Sequence, residues 1–175
     1  MERDEQLIER ANAGDAEAFE QLYYRYRDWV YRLAWRFTGN RQDALDVVQE
    51  TFTYLLGKFP GFELTAAMTT FLYPTVKHLG LNLRRRRPQN RTDDEALKQV
   101  PDSQRPSASR SELAAAMATL SEEHREVVLM RFVDGMTLAE VATALRVPIG
   151  TAKSRLHNAL RKLRDDPRTR EYFLT

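Results

Sequence analysis

The chain has 175 residues, enough for one ordinary domain or two small ones. Its 42% hydrophobic and 30% charged content fits a soluble globular protein and excludes global disorder, and the absence of cysteine excludes disulfides, thiol catalysis and thiolate metal sites. A net charge of +2 is small but unevenly spread: residues 84–87 are four arginines in a row, and residues 147–164 hold five Lys or Arg and no acid, so contact with a polyanion is expected locally rather than everywhere.

The N-terminus is acidic and lacks the basic start and apolar core of a secretory signal. With no apolar run of the roughly 20 residues that span a bilayer, a cytoplasmic location without membrane insertion is expected. Residues 16–37 carry Phe19, Leu22, Tyr23, Tyr26, Val30, Leu33, Ala34 and Phe37 at helical spacing, with Gly39 as a natural stop. A second helix fits 41–56, with Ala44, Val48, Phe52 and Leu55 inward. Residues 58–64 contain Pro60 and Gly61 and read as a loop. A third helix fits about 66–86, where Pro74 is expected to kink it or displace its start.

Residues 88–110 have three prolines, many small polar residues and little apolar periodicity, the composition of a linker. Helical patterning resumes near Ser111 with Leu113, Met117 and Leu120. Ser121 suits a helix cap, with Glu122 and Glu123 at the positive end of that helix; Val127, Val128, Arg131 and Phe132 follow, and Gly135 is a natural stop. Thr137 and Glu140 have capping-box spacing, ahead of an apolar face of Leu138, Val141, Ala142 and Leu145. A turn at 146–148 leads to a last helix at 149–164, with Ala152, Leu156, Ala159, Leu160 and Leu163 inward. The predicted fold is all-α: two small helical domains, 1–87 and 111–175, joined by a flexible linker at 88–110, the second domain being a helix-turn-helix.

That last helix is built for duplex DNA. A major groove admits one helix, and residues in its first turns reach base edges. Arg155 can pair with guanine and Asn158 with adenine, whereas Lys153, Arg161 and Lys162 suit phosphate; Ser154 and His157 share the outward face, and the helix start at Gly150 and Thr151 offers N–H groups to a phosphate. A basic amphipathic helix alone is often just a solvated face. The capping box, short turn and second apolar helix, all in register, favour DNA binding.

The run Pro148-Ile-Gly-Thr-Ala-Lys-Ser-Arg-Leu-His157 resembles the recognition helix of bacterial extracytoplasmic-function (ECF) RNA polymerase sigma factors, whose pattern reads Gly-Thr-Val-Lys-Ser-Arg-Leu-His-Arg-Ala. Asp43-Ala-Leu-Asp-Val-Val-Gln-Glu-Thr-Phe52 resembles that family's segment for docking on the β′ clamp helices. Phe71-Leu72-Tyr73, with Asn82 and Arg85, resembles its segment for melting and reading the –10 promoter element. The resemblance covers nearly the whole chain. Phe71, Pro74, His78, Ala152 and Asn158 depart from the residues usual in the family, which leaves the preferred promoter open.

The resemblance implies a sigma region 2 domain at 1–87 and a region 4 domain at 111–175 that grips the –35 duplex. Implied partners are core RNA polymerase (β′ clamp helices and β flap), promoter DNA and an anti-sigma factor, with no cofactor or metal. Asp43, Asp46, Gln49, Glu50 and Thr53 lie along one polar side of the second helix, either a docking face or an ordinary solvated one. Aromatics interleaved with cations suit single-stranded DNA; Phe59 and Phe71 are expected in the core, leaving Phe62 and Tyr73 as stacking candidates. Lys77, His78, Asn82, Arg84 and Arg85 complete the expected –10 contacts. A helix-turn-helix regulator that works without polymerase is the alternative. Catalysis has little support: the three histidines are scattered and no glycine loop or metal-ligand cluster is present.

Overall fold

The computed structural model describes residues 2–86 and 108–170, without the side chains of 108–111. The described residues form helices and connections only, in two compact units, one before and one after residue 99. The expected linker at 88–110 lies outside them, except that 108–110 are already helical, so the second domain starts earlier than its sequence suggests.

Unit 1 contains α1 (Asp4–Asn12), α2 (Ala16–Thr38), α3 (Arg41–Leu56) and α4 (Met68–Arg86). The long α2 packs against all three others. Its start is fixed by Asp15, whose carboxylate accepts from the N–H groups of Glu17 and Ala18 at 3.0 and 3.3 Å. Its end is fixed by Gly39, left-handed at φ 62°, which donates to the Trp35 carbonyl. Asn40 then caps α3 through the Asp43 N–H at 3.1 Å. Leu22, Val30, Leu33, Val47, Leu55, Met68, Leu72 and Val76 are fully buried at the centre. At about 1.5–3 kcal/mol for each large side chain, this burial outweighs the exposed ion pairs, worth about 0–1 kcal/mol each.

The structure adds two features to the sequence reading. The acidic N-terminal segment is a helix, because Leu7, Ile8 and Ala11 give α1 a buried apolar stripe. It is tied to α2 by Asp4, which accepts from Arg25 and from the Tyr26 hydroxyl; burial and this bond push the Tyr26 pKa upward. The third helix begins at Met68, later than the expected 66, and its helical residues continue through Pro74 to Arg86.

Unit 2 contains α5 (Ala108–Ala118), α6 (Glu122–Phe132), α7 (Leu138–Leu145) and α8 (Ile149–Asp165). Ala116, Leu120, Val128, Ala159 and Leu163 form its core, with Met117 and Leu156 against them. The end of α5 is closed from α6: the Arg125 guanidinium donates to the carbonyls of Met117, Ala118 and Leu120 at 2.9–3.0 Å. Ser121 caps α6 through the His124 N–H. The capping box of α7 is formed, Thr137 N–H donating to Glu140 at 2.6 Å and Glu140 N–H to the Thr137 hydroxyl at 3.2 Å. After α8 the chain folds back. Thr169 is buried, and the Asp166 carboxyl, bonded to Arg168, is held down at about 2.

Candidate nucleic-acid and polymerase interfaces

The helix-turn-helix consists of α7, the turn at 146–148 and α8. Arg146 closes α7 in the left-handed region at φ 55°, and Pro148 starts α8, so a three-residue turn joins the two helices. Ala152, Ala159 and Leu163 bury one side of α8. With about 100° of turn per residue, Gly150, Lys153, Ser154, His157, Arg161 and Arg164 then share the opposite arc, and all six are exposed. Arg164 belongs to this arc although sequence reasoning left it out; a helical wheel centred on the buried residues finds it.

Three of the expected DNA contacts are differently placed. Arg155 lies on a flank of α8, its side chain 22% exposed, and pairs with Glu123 of α6 at 2.9 Å. Lys162, seven residues on and so on the same flank, donates to the Thr119 carbonyl at 3.4 Å. The Thr151 N–H, expected to face phosphate, donates to the Pro148 carbonyl at 2.9 Å. Asn158 is half-buried between flank and outward arc.

In unit 1 the expected –10 residues divide. Phe62 and Tyr73 are buried and do not present faces for base stacking: Phe62 lies 4.8 Å from Phe71 and 5.4 Å from Phe59, and Tyr73 packs edge-on to Phe37 at 6.2 Å. The more accessible ring is Tyr54, stacked on Phe71 at 6.3 Å with the Lys58 ammonium 4.6 Å above it. His78, Asn82 and Arg85 share one side of α4, the Asn82 amide and His78 ring nitrogen 2.9 Å apart. Lys77 is half-buried, and Arg84 and Arg85 are exposed in the last turn, where cations complement the helix dipole. The loop before α4 is positioned by Asn12, which sequence reasoning missed. Its side chain accepts from the N–H groups of Gly61 and Phe62 at 2.7 and 2.9 Å and donates to the Phe62 carbonyl at 2.9 Å.

On α3, Gln49, Glu50 and Thr53 are exposed, and Asp46, half-exposed, accepts from Gln42 at 3.2 Å. Asp43 is buried at the edge of this face, in the first turn of α3 beside the buried Ala44 and Val47. The face is also less polar than expected: Leu45 and Leu56 are exposed on it. None of the described helices is long and apolar enough to cross a membrane.

Residues 22–90 match the family description Sigma-70 region 2, and residues 116–165 match Sigma-70, region 4. The chain is 32% identical to the ECF RNA polymerase sigma factor SigL of Mycobacterium tuberculosis, covering 90% of this chain and 93% of that one. It is 30% identical to the RNA polymerase sigma-H factor of Pseudomonas aeruginosa, covering 91% of each. Among solved structures its fold is similar to CnrH in complex with the cytosolic domain of CnrY, with a TM-score of 0.68, 23% identity and coverage of 91% and 93%. It is also similar to the sigma factor RpoE of Bartonella quintana in complex with the anti-sigma factor NepR, with a TM-score of 0.63, 20% identity and coverage of 86% and 96%.

Proposed function

The chain belongs to the ECF RNA polymerase sigma factors, and on that premise we propose how its two units divide the work. As a sigma factor it binds core RNA polymerase and directs promoter recognition, melting and initiation. Unit 1 docks through the exposed side of α3, where Asp46, Gln49, Glu50 and Thr53 meet a basic partner helix and Leu45 and Leu56 add apolar contact. The β′ clamp helices are that partner. Held there, His78, Asn82, Arg84 and Arg85 of α4 face the opened –10 strand, and Tyr54 with Lys58 supplies a ring and a cation.

Unit 2 grips the –35 duplex. The observation that carries this is the outward arc of α8: Lys153, Ser154, His157 and Arg161 project from a rigid helix-turn-helix frame, placing cations where a major groove brings phosphates and base edges together. Phe132 and Val133, 61% and 67% exposed at the end of α6, suit an apolar contact with the β flap. An anti-sigma factor is the regulatory partner we assign, by analogy with the sigma factor–NepR complex of similar fold. The site of action is the cytoplasm.

Run-off transcription on genomic promoter fragments tests the reading. Defined transcripts are expected only when core polymerase and this protein are both present. Tight, sequence-specific binding by the isolated protein, with no polymerase-dependent transcript, would instead favour a regulator acting alone.

A further inference from the structure

Arg155 has the side chain best suited to recognising guanine, yet its own domain takes it up. Glu123 stands in the first turn of α6, where the helix dipole favours a carboxylate. Its oxygen lies 2.9 Å from the Arg155 guanidinium, with side-chain exposures of 65% for Glu123 and 22% for Arg155. The stem of Arg155 is thus largely covered, and its charge is directed toward α6. Lys162 on the same flank points to the end of α5. Both residues of the flank, Arg155 and Lys162, have partners within the domain, while the arc of Lys153, Ser154, His157 and Arg161 faces outward.

We propose that Glu123 is a specificity-determining residue: by holding Arg155 against α6 it removes an arginine from DNA reading and leaves recognition to the outward arc. This rests on the assignment of α8 to the –35 duplex. An exposed ion pair shifts an equilibrium by no more than about fivefold, so the pair alone is a modest restraint. Were Arg155 to swing toward DNA, however, Glu123 would be left as an uncompensated carboxylate beside a polyanion, and this repulsion adds to the restraint.

The test is a double-mutant cycle on the holoenzyme, using a –35 duplex from a fragment that yields a run-off transcript and the same duplex with single-base changes. Arg155→Ala alone is expected to change discrimination less than twofold. Glu123→Gln should raise affinity for the matched duplex about fivefold and steepen its salt dependence by about one counterion. Both changes should vanish in Glu123→Gln/Arg155→Ala, and Glu123→Asp should behave as wild type.

The proposal is overturned if Arg155→Ala alone costs tenfold or more in discrimination. It is equally overturned if Glu123→Gln has no effect, or if its gain persists without Arg155, which would reveal only a lost negative charge. Failure of the wild-type holoenzyme to bind any –35 duplex would bring down the assignment of α8 itself, a result distinct from an additive cycle.

Discussion

A Cβ on Gly80 would lie 2.7 Å from the Cβ of Phe37, closer than two carbons can stand, so α4 passes α2 at a point where only glycine fits without movement. Gly80→Ala gains about 1 kcal/mol of helix propensity, but overpacking costs about 1–3 kcal/mol. The expected result is a net loss of up to about 2 kcal/mol in urea unfolding of the full chain; an unchanged midpoint would show that Phe37 gives way. Arg146 presents the opposite case, a side chain where glycine would be at ease. Its left-handed conformation costs about 1–2 kcal/mol, and relief of that cost in Arg146→Gly is offset by the larger chain entropy glycine loses on folding. Arg146→Gly should therefore stay within about 1 kcal/mol of wild type, while the β-branched Arg146→Val should lose about 1–2 kcal/mol. Equal stability of the two variants would remove the case for strain at the turn.

Among the elements, α3 joins structure and function most directly. Its inner side, with Ala44, Val47, Thr51 and Leu55, holds unit 1 together, and its outer side carries the proposed docking face. Charge reversal at Asp46 and Glu50 should weaken association with core polymerase by about tenfold or more while leaving helical content unchanged by circular dichroism. Wild-type recovery of polymerase in a pull-down would exclude this face. The periodicity that predicted α3 located its buried side well but misassigned Asp43, which sits where the two sides meet. An acid at such a boundary goes with whichever neighbouring helix covers it, and α3 alone does not determine that.

At the scale of the whole molecule, each unit has its own buried core: Leu22, Val30 and Leu72 are among the residues of one, Ala116, Val128 and Ala159 among those of the other. Two separate cores are expected to survive separation. Limited proteolysis within 88–107 should leave two fragments that retain their helicity and unfold independently. Loss of structure in either fragment on cleavage would refute the boundary.

The sequence by itself determined the all-α class, the course of α2, α3, α7 and α8, and caps such as Gly39, Ser121 and Thr137, because these depend on residues within a turn or two of one another. The motif in α8 and its order after the α3 segment also carried the resemblance to ECF sigma factors. Only the tertiary structure decided which candidates remain available to a partner. Phe62 and Tyr73 enter the core, Asn12 fixes a loop 50 residues away, and Lys162 reaches a carbonyl 43 residues back. Arg155 meets Glu123 across two helices. These outcomes depend on which side chains the packing of helices brings together, and a periodic pattern in one segment contains no information about the segment that will cover it.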